Sequence, residues 1–255
     1  MSEPQIVLHL TDQHFPDHDP YAIRTSIEAV SLVKPDVLVL GGDLIDAYAF
    51  SRFEKKTAKL AKFQKEIDLA DDYLGRLHEA SPDSETVWMY GNHEDRIERY
   101  LHRQAPALAD MAKVSLQEWL STNARNISVY DYGETYDHLS PLVFAHGTVI
   151  RKKAGMSAAS MVDMEGRSIA MGHSHRLGMS LRRMGPRVLH AYESGCLCKL
   201  RQEYTKHTPD WQLGFSMFLI DNGQIQWLPV HLTKNSKHTK MQLRLLTTIA
   251  DTARG

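Results

Sequence analysis

Residues 36–46 read Asp36-Val37-Leu38-Val39-Leu40-Gly41-Gly42-Asp43-Leu44-Ile45-Asp46. The short apolar run 37–40 fits a buried strand. It leads into two glycines, a carboxylate and, three residues on, a second carboxylate. The same grammar recurs on both sides. Residues 5–10 lead into Asp12-Gln13-His14, and residues 86–90 into Gly91-Asn92-His93-Glu94. Further on, residues 142–145 lead into His146, and residues 168–171 into Gly172-His173-Ser174-His175. Glycine adjoins four of the five clusters. Donor-bearing loops that follow strands belong at one end of a sheet, where α/β proteins build their sites.

The segments between the clusters complete an α/β pattern. Asp19-Pro20 predicts a helix start, with Asp19 as N-cap and Pro20 at the first helical position. Ile23, Ile27 and Val30 give that helix one apolar face, and Pro35 stops it. Leu60, Phe63, Ile67, Ala70, Leu74 and Leu77, three and four apart, predict a long amphipathic helix whose stripe packs on the core. Residues 94–122 read as helical, interrupted near Pro106, and residues 156–164 as a short helix. Residues 177–183 and 188–192 predict a hairpin around Gly185-Pro186, and residues 215–220 and 224–228 another around Asp221-Asn222-Gly223. The first half alternates strand and helix and the second is richer in strands, which suggests a two-layered sheet sandwich flanked by helices. No repeat or linker divides it. We expect one domain over 1–233, with helical insertions near 50–80 and 94–125, and a tail over 234–255 with some helical character.

Composition sets outer limits. The chain has 255 residues, 42% hydrophobic and 24% charged, an ordinary globular balance. A formal net charge of -1 excludes a global basic field for nucleic acid, though not a local patch. Cys196 and Cys198, one residue apart, do not make a disulfide framework. No apolar stretch approaches the ~20 residues of a membrane span. There is no basic N-terminal region followed by an apolar core. The expectation is a soluble, cytoplasmic protein.

The clusters hold carboxylate, imidazole and carboxamide donors, which suit divalent ions such as Mn²⁺, Fe²⁺ or Zn²⁺. Without cysteine they do not form a closed structural zinc site. Residues two apart, as in Asp12-x-His14 and His173-x-His175, can point the same way from extended backbone. Singly, each has a plainer reading. Asp12 or Asp43 could cap a helix, Gly91-Asn92 could be a turn, and His146 could be a satisfied core histidine. Their conjunction, in this order, is what carries the metal reading.

Taken together, the five clusters resemble the signature blocks of the calcineurin-like metallophosphoesterases, from about residue 6 to about residue 195. The resemblance implies a four-layer αββα sandwich. It implies two divalent metal ions, Mn²⁺ foremost, with Fe²⁺, Zn²⁺, Ni²⁺ or Co²⁺ as alternatives. Asp12, His14 and His175 would hold one ion, Asn92, His146 and His173 the other, and Asp43 would bridge them. His93 would protonate the leaving oxygen or contact the phosphoryl group, and Asp46 would orient His93. The implied activity is hydrolysis of phosphate esters.

Departures from the pattern shape the finer expectation. Protein Ser/Thr phosphatases of the superfamily carry a phosphate-gripping Arg where this chain has Ala47. That favours a phosphodiesterase, nuclease-like or acting on nucleotide-derived or lipid-linked diesters. The alternative is a monoesterase acting on nucleotides or phosphoproteins, and a non-catalytic scaffold comes last. Glu94 stands where many relatives carry Asp, Ala145 where Gly is common, and Glu193-Ser194-Gly195 reads as structural. Arg96, Arg151 and Lys152 are candidate substrate contacts, with Arg99, Lys153, Arg182 and Arg183 nearby in sequence. For all of them a solvated or surface-paired charge is the competing reading. Cys196 and Cys198 read as small buried side chains.

Overall fold

Strand β1 (Gln5–Leu10) sorts its side chains to two different cores. Ile6, Leu8 and Leu10 pack among helices, while Val7 packs against a second sheet. This is the period of two that an extended chain imposes. The structure is a computed structural model, described for residues 4–52, 63–109, 111, 113–201, 209–233 and 236–255. β2 (Val37–Leu40) and β3 (Glu85–Met89) repeat the sorting. Val37, Val39, Val87 and Met89 face the second sheet, and Leu38, Leu40 and Trp88 face helices.

β1, β2, β3 and β4 (Ile127–Tyr130) run parallel. β9 (Gly214–Asp221) and β10 (Gln224–His231) extend the β1 edge antiparallel, giving the order β10-β9-β1-β2-β3-β4. The second sheet has the order β5-β6-β8-β7. Its strands are β5 (Leu142–Ala145), β6 (Ser168–Met171), β7 (Leu177–Met184) and β8 (Arg187–Ser194). β5, β6 and β8 are parallel, and β7 is antiparallel to β8.

Helices close both outer faces. α1 (Pro20–Val33) and α2 (Phe63–Ala80) lie on the large sheet, joined by α7 (Ser236–Arg254) through buried Leu243, Leu246 and Ala250. α6 (Met156–Glu165) covers the small sheet, packing Ala158, Met161 and Val162 on Val143, Ile169 and Met171. The layers are therefore helix, sheet, sheet, helix, as the resemblance implied.

Local signals act as their chemistry predicts. The Asp19 carboxylate accepts the N–H groups of Tyr21 and Ala22, capping α1. Asn222 and Gly223 both take positive φ and close β9 onto β10 in two residues. The reading of 94–122 as helical with a break near Pro106 holds in part: among the described residues the stretch carries α3 (Asp95–Gln104), which ends before Pro106, and then two short pieces, α4 (Pro106–Ala109) and α5 (Leu116–Trp119). Proline at 106 cannot donate into a continuing helix. Leu60 lies outside the described residues, as does Lys234, the start of the expected tail; the described part of the long amphipathic helix is α2.

Candidate metal centre

The five clusters converge at one place. Four follow the C-terminal ends of parallel strands β1, β2, β3 and β6, and His146 follows β5. Both sheets thus deliver their loops to the same edge of the sandwich. Asp12, His14, Asp43, His173 and His175 all take positive φ, between 51° and 63°. The expectation of extended backbone at Asp12-x-His14 and His173-x-His175 is corrected: these residues are left-handed. Non-glycine residues hold this conformation at a cost of ~1–3 kcal/mol each, and only where the surroundings over-determine it.

Asp43 is the hub. Its Oδ1 accepts the backbone N–H of His93 at 3.0 Å. Its Oδ2 lies 3.6 Å from His14 Nε2 and 3.4 Å from His146 Nε2. On one side, His14 Nε2 and His175 Nε2 are 3.1 Å apart, and His175 Nε2 is 3.1 Å from Asp12 Oδ1. On the other, His146 Nε2 is 3.3 Å from Asn92 Oδ1, and the His146 and His173 rings are 5.0 Å apart. The donor atoms of Asp12, His14, Asp43 and His175 form one compact group, and those of Asp43, His146 and His173 a second. Asp43 belongs to both.

Hydrogen bonding tests whether cations fit. His146 Nδ1 lies 2.8 Å from the Gly41 carbonyl, which can only accept, so Nδ1 carries the proton. A neutral His146 then aims the Nε2 lone pair at the Asp43 carboxylate and the Asn92 carbonyl oxygen. Three acceptors converge with no donor, an arrangement that a cation or an extra proton must satisfy. With protein groups alone the proton does so. Burial opposes a charge on His146, but the carboxylates of Asp43 and Asp12 overcome it and push its pKa up to about 9. Burial likewise opposes a charge on His175, and Cys198 and Asp12 raise it to about 10. Asp43 is buried too, yet His146, His93 and His14 hold it well below the usual carboxylate range. The donor set fits divalent metal ions.

Close packing makes glycine necessary at two points. A Cβ on Gly91 would fall 2.1 Å from Asp43 Oδ1, and one on Gly172 would fall 1.9 Å from Thr11 Oγ1. The blocks also brace one another. The His173 N–H donates to the Asp12 carboxylate, and Thr11 Oγ1 donates to Asp12 Oδ2.

His93 sits beside the cluster. Its Nδ1 is 2.8 Å from the Asp46 carbonyl and 3.1 Å from Asp46 Oδ1, and its Nε2 is 3.8 Å from Asp43 Oδ2. Asp46 also lies 3.7 Å from His14 Nδ1; burial opposes its ionisation, but these two histidines keep it ionised. The Arg96 guanidinium meets both residues, donating to the Asp46 carbonyl at 3.0 Å and contacting His93 Nε2 at 2.9 Å.

The other basic candidates are not drawn in. Arg151 is exposed and donates from Nε to Ser160 of α6, and Lys152 is exposed. Neither makes a hydrogen bond or ion pair with the cluster among the described residues. Arg99 pairs with Asp95, and Arg182 with Asp163 at 2.9 Å.

Two residues matter here to which the sequence reading gave no part in the site. Glu94 is fully buried, and its carboxylate accepts the N–H groups of Asp43, Ile45 and Gly91. Burial, with the Asp43 charge, raises its pKa to about 7. Cys198 lies with Sγ 3.7 Å from His175 Nδ1, on the side of the ring away from Nε2. Burial pushes this thiol well above its ordinary pKa. Glu193 is structural, as expected: it caps α6 by accepting from Ser157 and Ala158, and it accepts from Ser174.

A family model described as calcineurin-like phosphoesterase matches residues 6–177. The chain is similar to the gene 54 protein of Mycobacterium phage L5, 26% identical over 236 residues that cover 86% of this chain and 91% of that one. Among solved structures it is similar to Vps29 of Chaetomium thermophilum, with a TM-score of 0.48, 12% identity, and coverage of 91% and 88%. It is also similar to the phosphoesterase Yfce of E. coli, with a TM-score of 0.41, 12% identity, and coverage of 87% and 97%. No helix among the described residues is long and apolar enough to cross a membrane.

Proposed function

The chain belongs to the calcineurin-like phosphoesterase family, and on that premise we propose that it hydrolyses phosphodiesters with two divalent metal ions, Mn²⁺ foremost. One observation carries the dinuclear reading: Asp43 Oδ2 faces histidines of two separate donor groups at 3.6 and 3.4 Å. Asp12, His14 and His175 would hold one ion, Asn92, His146 and His173 the other, with Asp43 shared. Divalent ions so bound supply Lewis acidity toward a phosphoryl oxygen and activate water at neutral pH.

The chain's own residues supply orientation and a proton. Asp43 spends Oδ1 on the His93 N–H, which fixes the direction of Oδ2, and Asp12 is held by the His173 N–H, which both its oxygens accept, and by Thr11 Oγ1 at Oδ2. His93 is aimed by Asp46 at Nδ1, so Nε2 is the atom that meets substrate. When Nε2 carries a proton, it passes that proton to the leaving oxygen as the P–O bond breaks.

The preference for diesters rests on Ala47. This residue is fully buried, has φ 46°, and its N–H donates to Glu66. No guanidinium can issue from that position, and a monoester dianion needs more cationic neutralisation than a diester. The monoesterase reading has one observation in its favour, the Arg96 guanidinium beside His93. The test is metal analysis, followed by hydrolysis of bis-nitrophenyl phosphate, nitrophenyl phosphate and short single-stranded DNA under one Mn²⁺ loading. Turnover of the monoester alone would reject the diesterase reading. No turnover by fully loaded protein would favour the scaffold.

A further inference from the structure

We infer that Arg96 grips the phosphoryl group of the substrate, from a place in the chain remote from the arginine that position 47 lacks. The inference rests on the phosphoesterase reading above, for either class of ester; the cation it supplies is the one observation that favours the monoesterase reading, so its success would weigh against the diester preference.

The argument starts from unused bonding capacity. A guanidinium has five N–H donors and a fixed positive charge. Arg96 spends Nη1 on the Asp46 backbone carbonyl and Nη2 on His93 Nε2, neither of them a carboxylate. It forms no salt bridge with a described residue, whereas Arg99, one turn on, is paired with Asp95. Arg96 is also half-buried, so water screens it incompletely. A partly desolvated cation without a counter-ion calls for an anion.

Position identifies the anion. His93 Nε2, the atom Arg96 touches, lies 3.8 Å from Asp43 Oδ2, the carboxylate shared by both donor groups. A phosphoryl group held at that carboxylate's metals would lie against His93 and within the sweep of Arg96. The contact with Asp46 is telling. Its carbonyl adjoins residue 47, so the guanidinium reaches from α3 to the loop after β2. Arg96 follows His93 by three residues, a spacing that sets both on one side of a helical turn. It contacts His93 Nε2 as a donor, and a phosphoryl oxygen at the centre would compete for that N–H.

The experiment compares Arg96→Ala, Arg96→Lys and, as a surface control, Arg99→Ala, each loaded with Mn²⁺. Inorganic phosphate is the probe, followed by calorimetry and as a competitive inhibitor. We expect Arg96→Ala to keep its metals, weaken phosphate binding at least about 10-fold, and lower kcat/KM about 10²–10³-fold, as loss of a transition-state donor does. Arg96→Lys should recover only part, and added methylguanidine should partly restore Arg96→Ala. Arg99→Ala should match wild type. Unchanged phosphate affinity in Arg96→Ala with both metals retained would overturn the inference; a fall in kcat alone would then make Arg96 a positioning residue for His93. Should Arg96→Ala lose its metals, Arg96→Lys decides, and full wild-type phosphate affinity there overturns it. Because phosphate binding is measured without turnover, failure of wild type to hydrolyse any ester would count against the phosphoesterase reading and leave this comparison intact.

Discussion

Glu94 Oε2 accepts the backbone N–H of Asp43 at 3.0 Å, in a place shut off from water. The same carboxylate takes the N–H of Gly91 at 2.8 Å through Oε2 and of Ile45 at 3.1 Å through Oε1. One side chain thus ties the loop after β3 to the loop after β2 and sets the backbone from which Asp43 projects. Glu94→Gln would replace one acceptor by an NH₂ group facing an N–H. We expect a stability loss of about 1–3 kcal/mol and a 10–100-fold fall in metal affinity. Thermal melting and Mn²⁺ titration measure both. A variant with wild-type melting and affinity would show that Glu94 does not hold the loop.

Asp43→Asn should empty both sites together. The carboxamide keeps one oxygen but loses the shared negative charge between two cations. The expected result is fewer than one metal per chain and no measurable turnover. Two metals and normal rates would rule out Asp43 as the bridge.

His93→Ala should keep its metals, because the two donor groups that contain Asp43 and the histidines of the centre are complete without it. Turnover on esters with poor leaving groups should fall about 10²–10⁴-fold, the usual worth of general acid help. A nitrophenolate leaving group needs no proton and should show a smaller loss. Equal losses on both would assign His93 to phosphate positioning.

Metal-free protein should lose stability as pH rises from 7 toward 10. His146 and His175 have folded-state pKa values raised to about 9 and about 10, above the ordinary value of 6.5. The folded chain therefore binds more protons than the unfolded chain across that window. The stabilisation is complete below about pH 6.5 and is lost as pH passes the folded values. Melting of chelator-treated protein at pH 7 and pH 9 checks this. The expected drop is several degrees, at roughly 2–4 °C per kcal/mol for a chain of this size. Saturating Mn²⁺ should shrink or reverse the drop, because the ion takes the place of the protons. A metal-free melting point that climbs toward pH 9 would contradict the assignment.

Much of this protein was legible along the chain. Strand ends, the Asp19 cap, the Asn222-Gly223 turn and the order of the five clusters are local facts. A four-residue apolar run or a left-handed turn is decided by neighbours within a few positions. The helical reading of 94–122 shows where local pattern weakens: the stretch is largely polar, and Pro106 divides it. What no local rule could supply are the partners. Glu94 meets Asp43 across 51 residues, Arg96 meets Asp46 across 50, and Cys198 meets His175 across 23. These contacts have no period and no motif, because they depend on which strands lie side by side, β2 with β3 and β6 with β8, and so which loops meet at one edge. Sequence therefore determined the kinds of donor and their order. Only the pairing of β2 with β3 decided that Glu94 braces Asp43 and that Arg96 reaches Asp46, and only the packing of sheet against sheet decided that Asp43 faces both histidine groups.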